Sequence, residues 1–294
     1  MTVDRPDPAQ SGASPEGASD WRGACKGSAT DHTPGADRPW AVSSDAAHFL
    51  PMIDVTRDGG IATLWLARGG ARNALPIAGW RALAERVAEL AASDVRAVLI
   101  ASREPGIFSA GADIAEFADL RDDPARRAIF RETLSAAIEG VARLPMPVIA
   151  AVDGGCFGAA VALALACDLI VAGKGARFAI PPARLGILYP PADVARLVAA
   201  VGRGQAARLL YTGDAIDADE AVAIGLAHRR SDSALAAAQA LAARIAANAP
   251  GAVRGLKLAI DGVPGGEARF DAAFGDAELV EGLAAFHDRR PPEF

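Results

Sequence analysis

Two glycine-containing turns carry the sequence features most suited to chemistry. The first turn reads FSAGADI at residues 108–114, and the second reads DGGCFGAA at residues 153–160. Each turn follows an apolar run and opens a helical pattern, so backbone N–H groups at a helix start can point at an oxygen atom. If the two turns come from neighbouring strands, two donors can bind one carbonyl oxygen and stabilise negative charge on it.

Alternating strand and helix patterns should position these turns. Apolar runs and turn signals predict strands at residues 53–56, 61–66, 97–101, 148–152 and 169–172. Helical spacing predicts helices at residues 76–92, 126–144 and 159–166, and a largely helical chain after Asp193. This alternation predicts an α/β fold, with a mainly parallel sheet and crossover helices, followed by a helical C-terminal portion.

Composition divides the chain into three predicted parts. Residues 1–48 are rich in Pro, Gly, Ser, Ala and Asp without a hydrophobic period, which predicts a disordered tail. Residues 49–230 carry the strand–helix alternation and form the predicted core. Residues 231–294 form the predicted C-terminal helical region.

Charge, hydropathy and metal-binding residue types exclude several functions. A net charge of −6 argues against a nucleic-acid surface, and no apolar stretch is long enough to span a membrane. The three cysteines are an odd number without metal-ligand spacing, which indicates reduced thiols in the cytoplasm. The four histidines lie outside both turns, so we expect no metal site and no histidine-based triad.

Several motifs, taken in their order and spacing, identify a family resemblance. They are ARNAL at 71–75, FSAGADI at 108–114, PVIAAVDG at 147–154, CDLI at 167–170, LYTG at 210–213 and the ending EGLAAFHDRRPPEF at 281–294. From about Ile53 to Phe294 the chain resembles the enoyl-CoA hydratase/isomerase (crotonase) family. The resemblance implies a crotonase-like (ββα)n spiral core and an acyl-CoA thioester substrate.

The resemblance also implies a set of site residues. The backbone N–H groups of Ala112 and Ala159 match the oxyanion hole, which binds the thioester carbonyl oxygen. Arg72 lies where the family's chain passes the CoA moiety, and C-terminal basic residues can approach CoA phosphates, sometimes from a neighbouring subunit. The implied substrate- and CoA-binding positions are Arg72, Ala74, Ala110, Gly111, Asp113, Ile114, Gly158, Arg289 and Arg290.

The sequence departs from the family pattern at its catalytic side chains. Hydratases of the family hold a water with two glutamates, and the matching positions here are Ala162 and Pro182. A later carboxylate position matches Pro190. General acid–base groups each contribute about 10²–10⁴-fold, so ordinary hydration should be strongly impaired. Ala159 replaces the usual glycine, which the oxyanion hole tolerates if this residue does not need a positive φ.

Two polar residues follow in the segment 186–193. Residues 186–191 resemble the corresponding segment of methylmalonyl-CoA decarboxylases, in which a tyrosine in the pocket matches Tyr189. We expect Tyr189 either to donate a proton to an enolate or to be a packed aromatic residue. Asp193 precedes a helical run and is expected to be its N-cap, although a catalytic role stays open.

These features leave three functional hypotheses. The first is a lyase that decarboxylates a malonyl-type thioester, because loss of CO₂ creates the enolate without a base. The second is an enoyl-CoA hydratase or isomerase that uses Asp193, Glu116 or a bound water as its proton carrier. The third is a non-catalytic acyl-CoA-binding protein.

The resemblance implies further properties of the assembled protein. It implies a homotrimer or a hexamer built as a dimer of trimers, with residues 231–294 as the trimerisation region. It also implies a place in fatty acid metabolism and no cofactor beyond the CoA moiety of the substrate. With the cysteine pattern, we expect a cytoplasmic protein without nucleic-acid or membrane partners.

Overall fold

The computed structural model describes residues 52–294, and the predicted tail at residues 1–48 lies outside them. In this part of the chain, ten strands form two sheets, of six and four strands. The strands are β1 (Ile53–Asp58), β2 (Ile61–Leu66), β3 (Ala97–Ser102), β4 (Ile107–Ser109), β5 (Val148–Val152), β6 (Gly155–Phe157), β7 (Leu169–Gly173), β8 (Arg177–Ala179), β9 (Ile216–Asp217) and β10 (Arg229–Ser231).

Ten α-helices connect and cover the strands of the described chain. They are α1 (Ile77–Ala91), α2 (Phe117–Asp122), α3 (Pro124–Ala142), α4 (Ala159–Leu165), α5 (Pro191–Thr212), α6 (Ala218–Ala223), α7 (Ala234–Ala246), α8 (Pro250–Ile260), α9 (Gly266–Ala273) and α10 (Ala277–Asp288). Short 3₁₀ turns lie at Gly69–Ala71, Ile114–Glu116 and Pro182–Leu185.

The large sheet has the strand order β1-β2-β3-β5-β7-β10 and is parallel except for the β1–β2 hairpin. Its central strands β3, β5 and β7 carry no polar residue except Ser102 at the end of β3, as expected for strands covered on both faces. On one face, β3 and β5 pack against α1 and α3. On the other face, α7 presents the fully buried Ala234, Ala238 and Ala242. The predicted α/β fold with crossover helices is thus confirmed.

The small sheet positions the glycine turns. Strands β4, β6 and β8 run parallel, and each follows directly after a strand of the large sheet. The turns that start at Ala110 and Gly158 therefore leave neighbouring strands at the same end, as parallel pairing requires. The sequence patterns did not predict these strands, because three residues are too few to show a period of two.

The C-terminal helices differ in how they contact the sheets. Helix α7 belongs to the sheet packing described above, although the predicted core boundary at residue 230 falls before it. Helix α8 is anchored by the buried Lys257, whose Nζ lies 2.8 Å from Asp168 Oδ2 and 3.2 Å from the Met146 carbonyl oxygen. Within the described residues, no helix combines the length and hydropathy that a membrane crossing would require.

Replacing Lys257 with methionine should loosen α8 from the core. The substitution keeps the apolar stem but removes both hydrogen bonds of the ammonium group, so the free energy of unfolding should fall by about 2 kcal/mol. Asp168 is partly exposed and keeps the Val148 N–H as a donor at 2.7 Å, so the loss should stay below that of a fully buried pair. Urea denaturation measures the change, with the exposed Lys174→Met as the matched control. Equal stability of the two variants would contradict this anchoring.

Candidate active site

The loop at residues 110–113 pairs with the loop at residues 72–75. The Leu75 N–H donates to the Gly111 carbonyl oxygen at 2.7 Å, and the Asp113 N–H donates to the Leu75 carbonyl oxygen at 3.0 Å. This is a parallel bridge between Leu75 and Ala112. In such a bridge the groups flanking Ala112 bind Leu75, so the N–H of Ala112 itself points to the opposite side.

Gly111 brings the two glycine turns into backbone contact. Its φ is +87°, and a Cβ added there would lie 2.4 Å from the Phe157 carbonyl oxygen and 2.8 Å from the Ala159 nitrogen. No side chain fits this space, which explains the requirement for glycine. The predicted donors Ala112 and Ala159 are therefore brought to adjacent stretches of backbone.

Ala159 supplies its N–H from the first residue of α4. An N–H in the first helical turn has no partner within the helix. The preceding Gly158 takes φ 55° and ψ −122°, whereas Ala159 is not among the residues with positive φ. Alanine is therefore compatible with this position. In the part of the chain that the structure describes, neither the Ala112 nor the Ala159 N–H has a hydrogen-bond acceptor.

Asn73 anchors the loops around this site. Its side-chain amide donates to Ser102 Oγ at 2.8 Å and to the Phe108 carbonyl oxygen at 3.0 Å, and its Oδ1 accepts from the Arg68 N–H at 2.7 Å. Its φ is +53°, a left-handed conformation that asparagine tolerates. The sequence reasoning did not single out Asn73, although an asparagine within an otherwise small and apolar motif was a usable signal.

The other predicted CoA-binding residues of these two loops differ in exposure. Arg72 is exposed and lines, with Ala110 and Arg177, an open pocket of about 320 Å³. Asp113 is ion-paired with Arg68 at 2.7 Å, and Arg68 also donates to the Ala74 carbonyl oxygen at 2.6 Å. The side chain of Ile114 is exposed. The structure thus places Arg72 and Ala74 on one loop and Ala110, Gly111, Asp113 and Ile114 on the loop that pairs with it.

The C-terminal arginines lie at the end of α10. Arg290 donates to both carboxylate oxygens of Glu281, at 2.6 and 2.9 Å, and this pairing lowers the pKa of Glu281 to about 2. Arg289 ends the helix in a left-handed conformation with φ 55°. Among the described residues, neither arginine forms a hydrogen bond or an ion pair with residues 72–75 or 110–114.

The positions of the missing glutamates are apolar. Ala162 and Pro182 are both buried. Glu116, a candidate substitute, accepts the Ile77 N–H at 2.8 Å and so caps the start of α1. Ala162 and Pro182 therefore supply no carboxylate, and one carboxylate oxygen of Glu116 is bound to the start of α1.

Asp193 is not the helix N-cap that we predicted. Helix α5 begins two residues earlier, at Pro191, because a proline suits the first helical position. Asp193 instead lies buried in the first turn, where its Oδ1 accepts from Arg196 at 3.0 Å, and Arg196 also binds Glu139 at 2.7 Å. Burial raises the pKa of Asp193. Its carboxylate is held within an ion-pair network.

Tyr189 reaches the second glycine turn. Its hydroxyl donates to the Gly158 carbonyl oxygen at 3.0 Å. Burial raises the pKa of the phenol well above its ordinary value, and the nearby Asp193 charge adds to the effect. The hydroxyl is therefore protonated at neutral pH and is committed to a backbone acceptor in the structure.

Cys156, Cys167 and His228 have structural roles or environments. Cys156 and Cys167 are buried free thiols, and burial raises the pKa of each. His228 Nδ1 accepts the Ile170 N–H at 2.9 Å. Within residues 52–294, no three His, Cys, Asp or Glu side chains gather as a metal site would require.

Comparison with known proteins identifies the family. The enoyl-CoA hydratase/isomerase family profile matches residues 56–294. The chain is 33% identical over 251 residues to the mitochondrial methylglutaconyl-CoA hydratase of Mus musculus, covering 80% of this chain and 79% of that protein. It is 34% identical to the human mitochondrial enoyl-CoA hydratase domain-containing protein 2, covering 87% and 96% of the two chains.

A solved structure agrees with this assignment. The enoyl-CoA hydratase/carnithine racemase of Magnetospirillum magneticum superposes with a TM-score of 0.78 at 34% identity, covering 83% of this chain and 95% of that one. The chain therefore belongs to the enoyl-CoA hydratase/isomerase family and has the crotonase fold. It is an enzyme of that family, whose members process acyl-CoA substrates.

Asn73→Ala should destabilise the protein and distort the site. The variant loses three hydrogen bonds of the buried Asn73 side chain, each worth about 1 kcal/mol, and places alanine in a left-handed conformation. We expect the free energy of unfolding to fall by about 3 kcal/mol. Urea denaturation measures this, with Asn248→Ala, at the other asparagine of the sequence, as the exposed control. A loss no larger than that of the control would show that Asn73 does not anchor the loops.

Proposed function

We propose that the protein binds an acyl-CoA thioester and stabilises its enolate with the N–H groups of Ala112 and Ala159. The observation that carries the proposal is the pairing of two acceptor-free N–H groups on touching backbone turns. Charge that develops on the thioester oxygen would be stabilised by preorganised donors, and one such donor is worth about 3–4 kcal/mol. The loop from Arg72 to Ala74, with Ala110 to Ile114, would hold the CoA moiety.

The sharper proposal is decarboxylation of a malonyl-type thioester. The bond between the α-carbon and the carboxylate breaks, its electron pair forms the enolate, and CO₂ leaves. The enolate carbon then takes a proton. No base is needed, which agrees with the apolar Ala162 and Pro182 and with the ion-paired Asp193. A carboxylate at those positions would repel the carboxylate of the substrate.

The proton for the enolate comes from a bound water or from Tyr189 in this proposal. The Tyr189 hydroxyl would have to leave the Gly158 carbonyl oxygen to reach the substrate. Because this hydroxyl already donates its proton to a backbone carbonyl oxygen, a bound water is the favoured proton donor. The third hypothesis, a protein that binds acyl-CoA esters without turnover, shares the same geometry and becomes an outcome of the assay below.

Hydration of an enoyl-CoA is the second candidate function. The relatives reported above carry hydratase names, which favours it. It requires a water activated by a group other than the two glutamates, and Asp193 or Glu116 would have to leave its present partner. Wild-type activity on crotonyl-CoA that Asp193→Asn or Glu116→Gln abolishes would support this candidate.

A mass-spectrometric turnover screen distinguishes these functions. Malonyl-CoA, methylmalonyl-CoA, crotonyl-CoA and a 3-enoyl-CoA are each incubated with the purified protein. We expect a loss of 44 mass units from a malonyl-type ester. Gain of water on crotonyl-CoA alone would contradict decarboxylation, and binding of every ester without turnover would identify a non-catalytic binder.

Ala159→Pro tests the oxyanion hole directly. Proline has no N–H but is tolerated at the first helical position, so the fold should persist while one donor is lost. We expect kcat on the reactive ester to fall by about 10²–10³-fold. Ala159→Gly keeps the N–H and is the matched control, with activity close to wild type. Similar activities of the two variants would exclude the Ala159 N–H from the reaction.

We also propose that the chain assembles as a homotrimer or a hexamer through its C-terminal helices. Helices α9 and α10, with the residue that follows α9, expose Phe270, Phe274, Val280, Leu283 and Phe286, each at 61–85% of its surface. Apolar surfaces of this extent usually mark interfaces.

Further proposals are that the protein is cytoplasmic, acts in fatty acid metabolism, uses no cofactor beyond the CoA moiety of its substrate, and has no nucleic-acid or membrane partner.

Light scattering after size-exclusion chromatography tests the assembly. We expect three or six times the mass of one chain, and a lower mass for the double variant Leu283→Glu and Phe286→Glu. A double variant with glutamate at the exposed Ala268 and Ala272 serves as the control for added charge. A wild-type protein that elutes as a monomer at micromolar concentration would refute the proposal.

A further inference from the structure

We infer that Tyr189 is a positioning residue of the oxyanion hole, and that it acts through the peptide bond between Gly158 and Ala159. The inference rests on the proposed function, because it assigns a task to one of the two proposed N–H donors. It differs from the expectation that Tyr189 gives a proton to the substrate. The observation behind it is the hydrogen bond from the Tyr189 hydroxyl to the Gly158 carbonyl oxygen, at 3.0 Å.

The carbonyl of Gly158 and the N–H of Ala159 belong to one planar unit. A trans peptide directs its carbonyl and its N–H to opposite sides, so an anchor on the carbonyl fixes the direction of the N–H. The Gly158 carbonyl oxygen has two donors, the Tyr189 hydroxyl and the Val161 N–H at 2.9 Å. The opposite end of the same peptide is the acceptor-free N–H of Ala159.

This peptide has particular need of an anchor. Gly158 takes φ 55° and ψ −122°, a combination that is accessible to glycine and strongly disfavoured for other residues. Glycine itself imposes little preference on the peptide plane that follows it. Hydrogen bonds in series also polarise one another, by about 10–30% per bond, so donation to the carbonyl makes the N–H a stronger donor.

The surroundings of Tyr189 keep its hydroxyl in the donating form. The ring packs against the main hydrophobic core, near Cys156 and Asp193. Asp193 is bound by Arg196, which is bound in turn by Glu139, so the carboxylate has its own donors and does not take the phenol proton. Among the described residues, the hydroxyl donates to the Gly158 carbonyl oxygen, and a backbone hydrogen bond from Ala162 also reaches it.

The two roles of Tyr189 predict different signals. A proton donor acts after the enolate forms, so its removal slows turnover without affecting the bound ground state. A positioning residue changes the hydrogen bond to the thioester carbonyl before any reaction. The carbonyl stretching frequency of a bound, unreactive thioester therefore separates them.

The experiment is difference infrared spectroscopy of butyryl-CoA carrying ¹³C at its carbonyl, bound to the full chain. Butyryl-CoA has no carboxylate to lose and no double bond to hydrate. We expect binding to lower the carbonyl stretch, and Tyr189→Phe to reduce this downshift by roughly 10–30%. Tyr211→Phe, at the exposed second tyrosine, should match wild type. Tyr189→Phe should also slow turnover of the reactive ester. The decrease should be smaller than the roughly 10²-fold that follows complete loss of one oxyanion-hole donor.

A second variant covers the case in which Tyr189→Phe does not fold. Replacing Tyr189 with 3-fluorotyrosine keeps the hydrogen bond but makes the phenol a stronger donor, so the downshift should increase. An unchanged downshift in whichever Tyr189 variant folds would overturn the inference, and loss of turnover in Tyr189→Phe with an unchanged downshift would favour proton donation instead. A bound thioester without any downshift in wild type would instead overturn the proposed oxyanion hole, and with it this role.

Discussion

The contact between the backbone of Gly111 and the turn at Ala159 is the constraint on which the site depends. It requires a glycine with positive φ, a second glycine immediately before Ala159, and two parallel strands that end at the same level. The small sheet meets the last condition by pairing β4 with β6. The large sheet supports it, since each short strand is the continuation of a buried strand whose position is fixed on both faces.

Polar groups at the loops then hold this contact in place. Asn73 joins the ARNAL loop to strand β4, and the Leu75 backbone joins the same loop to the residues around Ala112. Ser109 extends the network, because its hydroxyl donates to the Asn73 carbonyl oxygen and accepts the Gly111 N–H. Almost all the groups near the two donors are thus bonded to each other, which leaves the N–H groups of Ala112 and Ala159 for a ligand.

The sequence was sufficient to predict the two turns and the elements that are long enough to show a hydrophobic pattern. Strands β3 and β5 and helices α1 and α3 have patterns set by burial, and the glycine turns were identified through the family motifs that contain them. It could not predict β4, β6 and β8, which are too short to show a pattern. The N-cap prediction at Asp193 was wrong because Pro191 starts the helix earlier and Arg196 offers a buried ion pair. Neither the anchoring by Asn73 nor the bond from Tyr189 to Gly158 can be inferred from local sequence, since both join distant segments.

The proposed chemistry follows from two hydrogen-bond donors, the N–H groups of Ala112 and Ala159, and from the missing hydratase glutamates. Ala162 and Pro182 leave the site without the carboxylates of a hydratase. The other candidate carboxylates are bound in the structure, Glu116 by the Ile77 N–H and Asp193 by Arg196. A crystal structure with a bound acyl-CoA thioester tests this account most directly. It predicts the thioester oxygen at roughly 2.7–3.1 Å from both the Ala112 and the Ala159 nitrogens, with Glu116 and Asp193 still bound to their present partners. A carbonyl bound elsewhere, or either carboxylate released toward the acyl group, would contradict it.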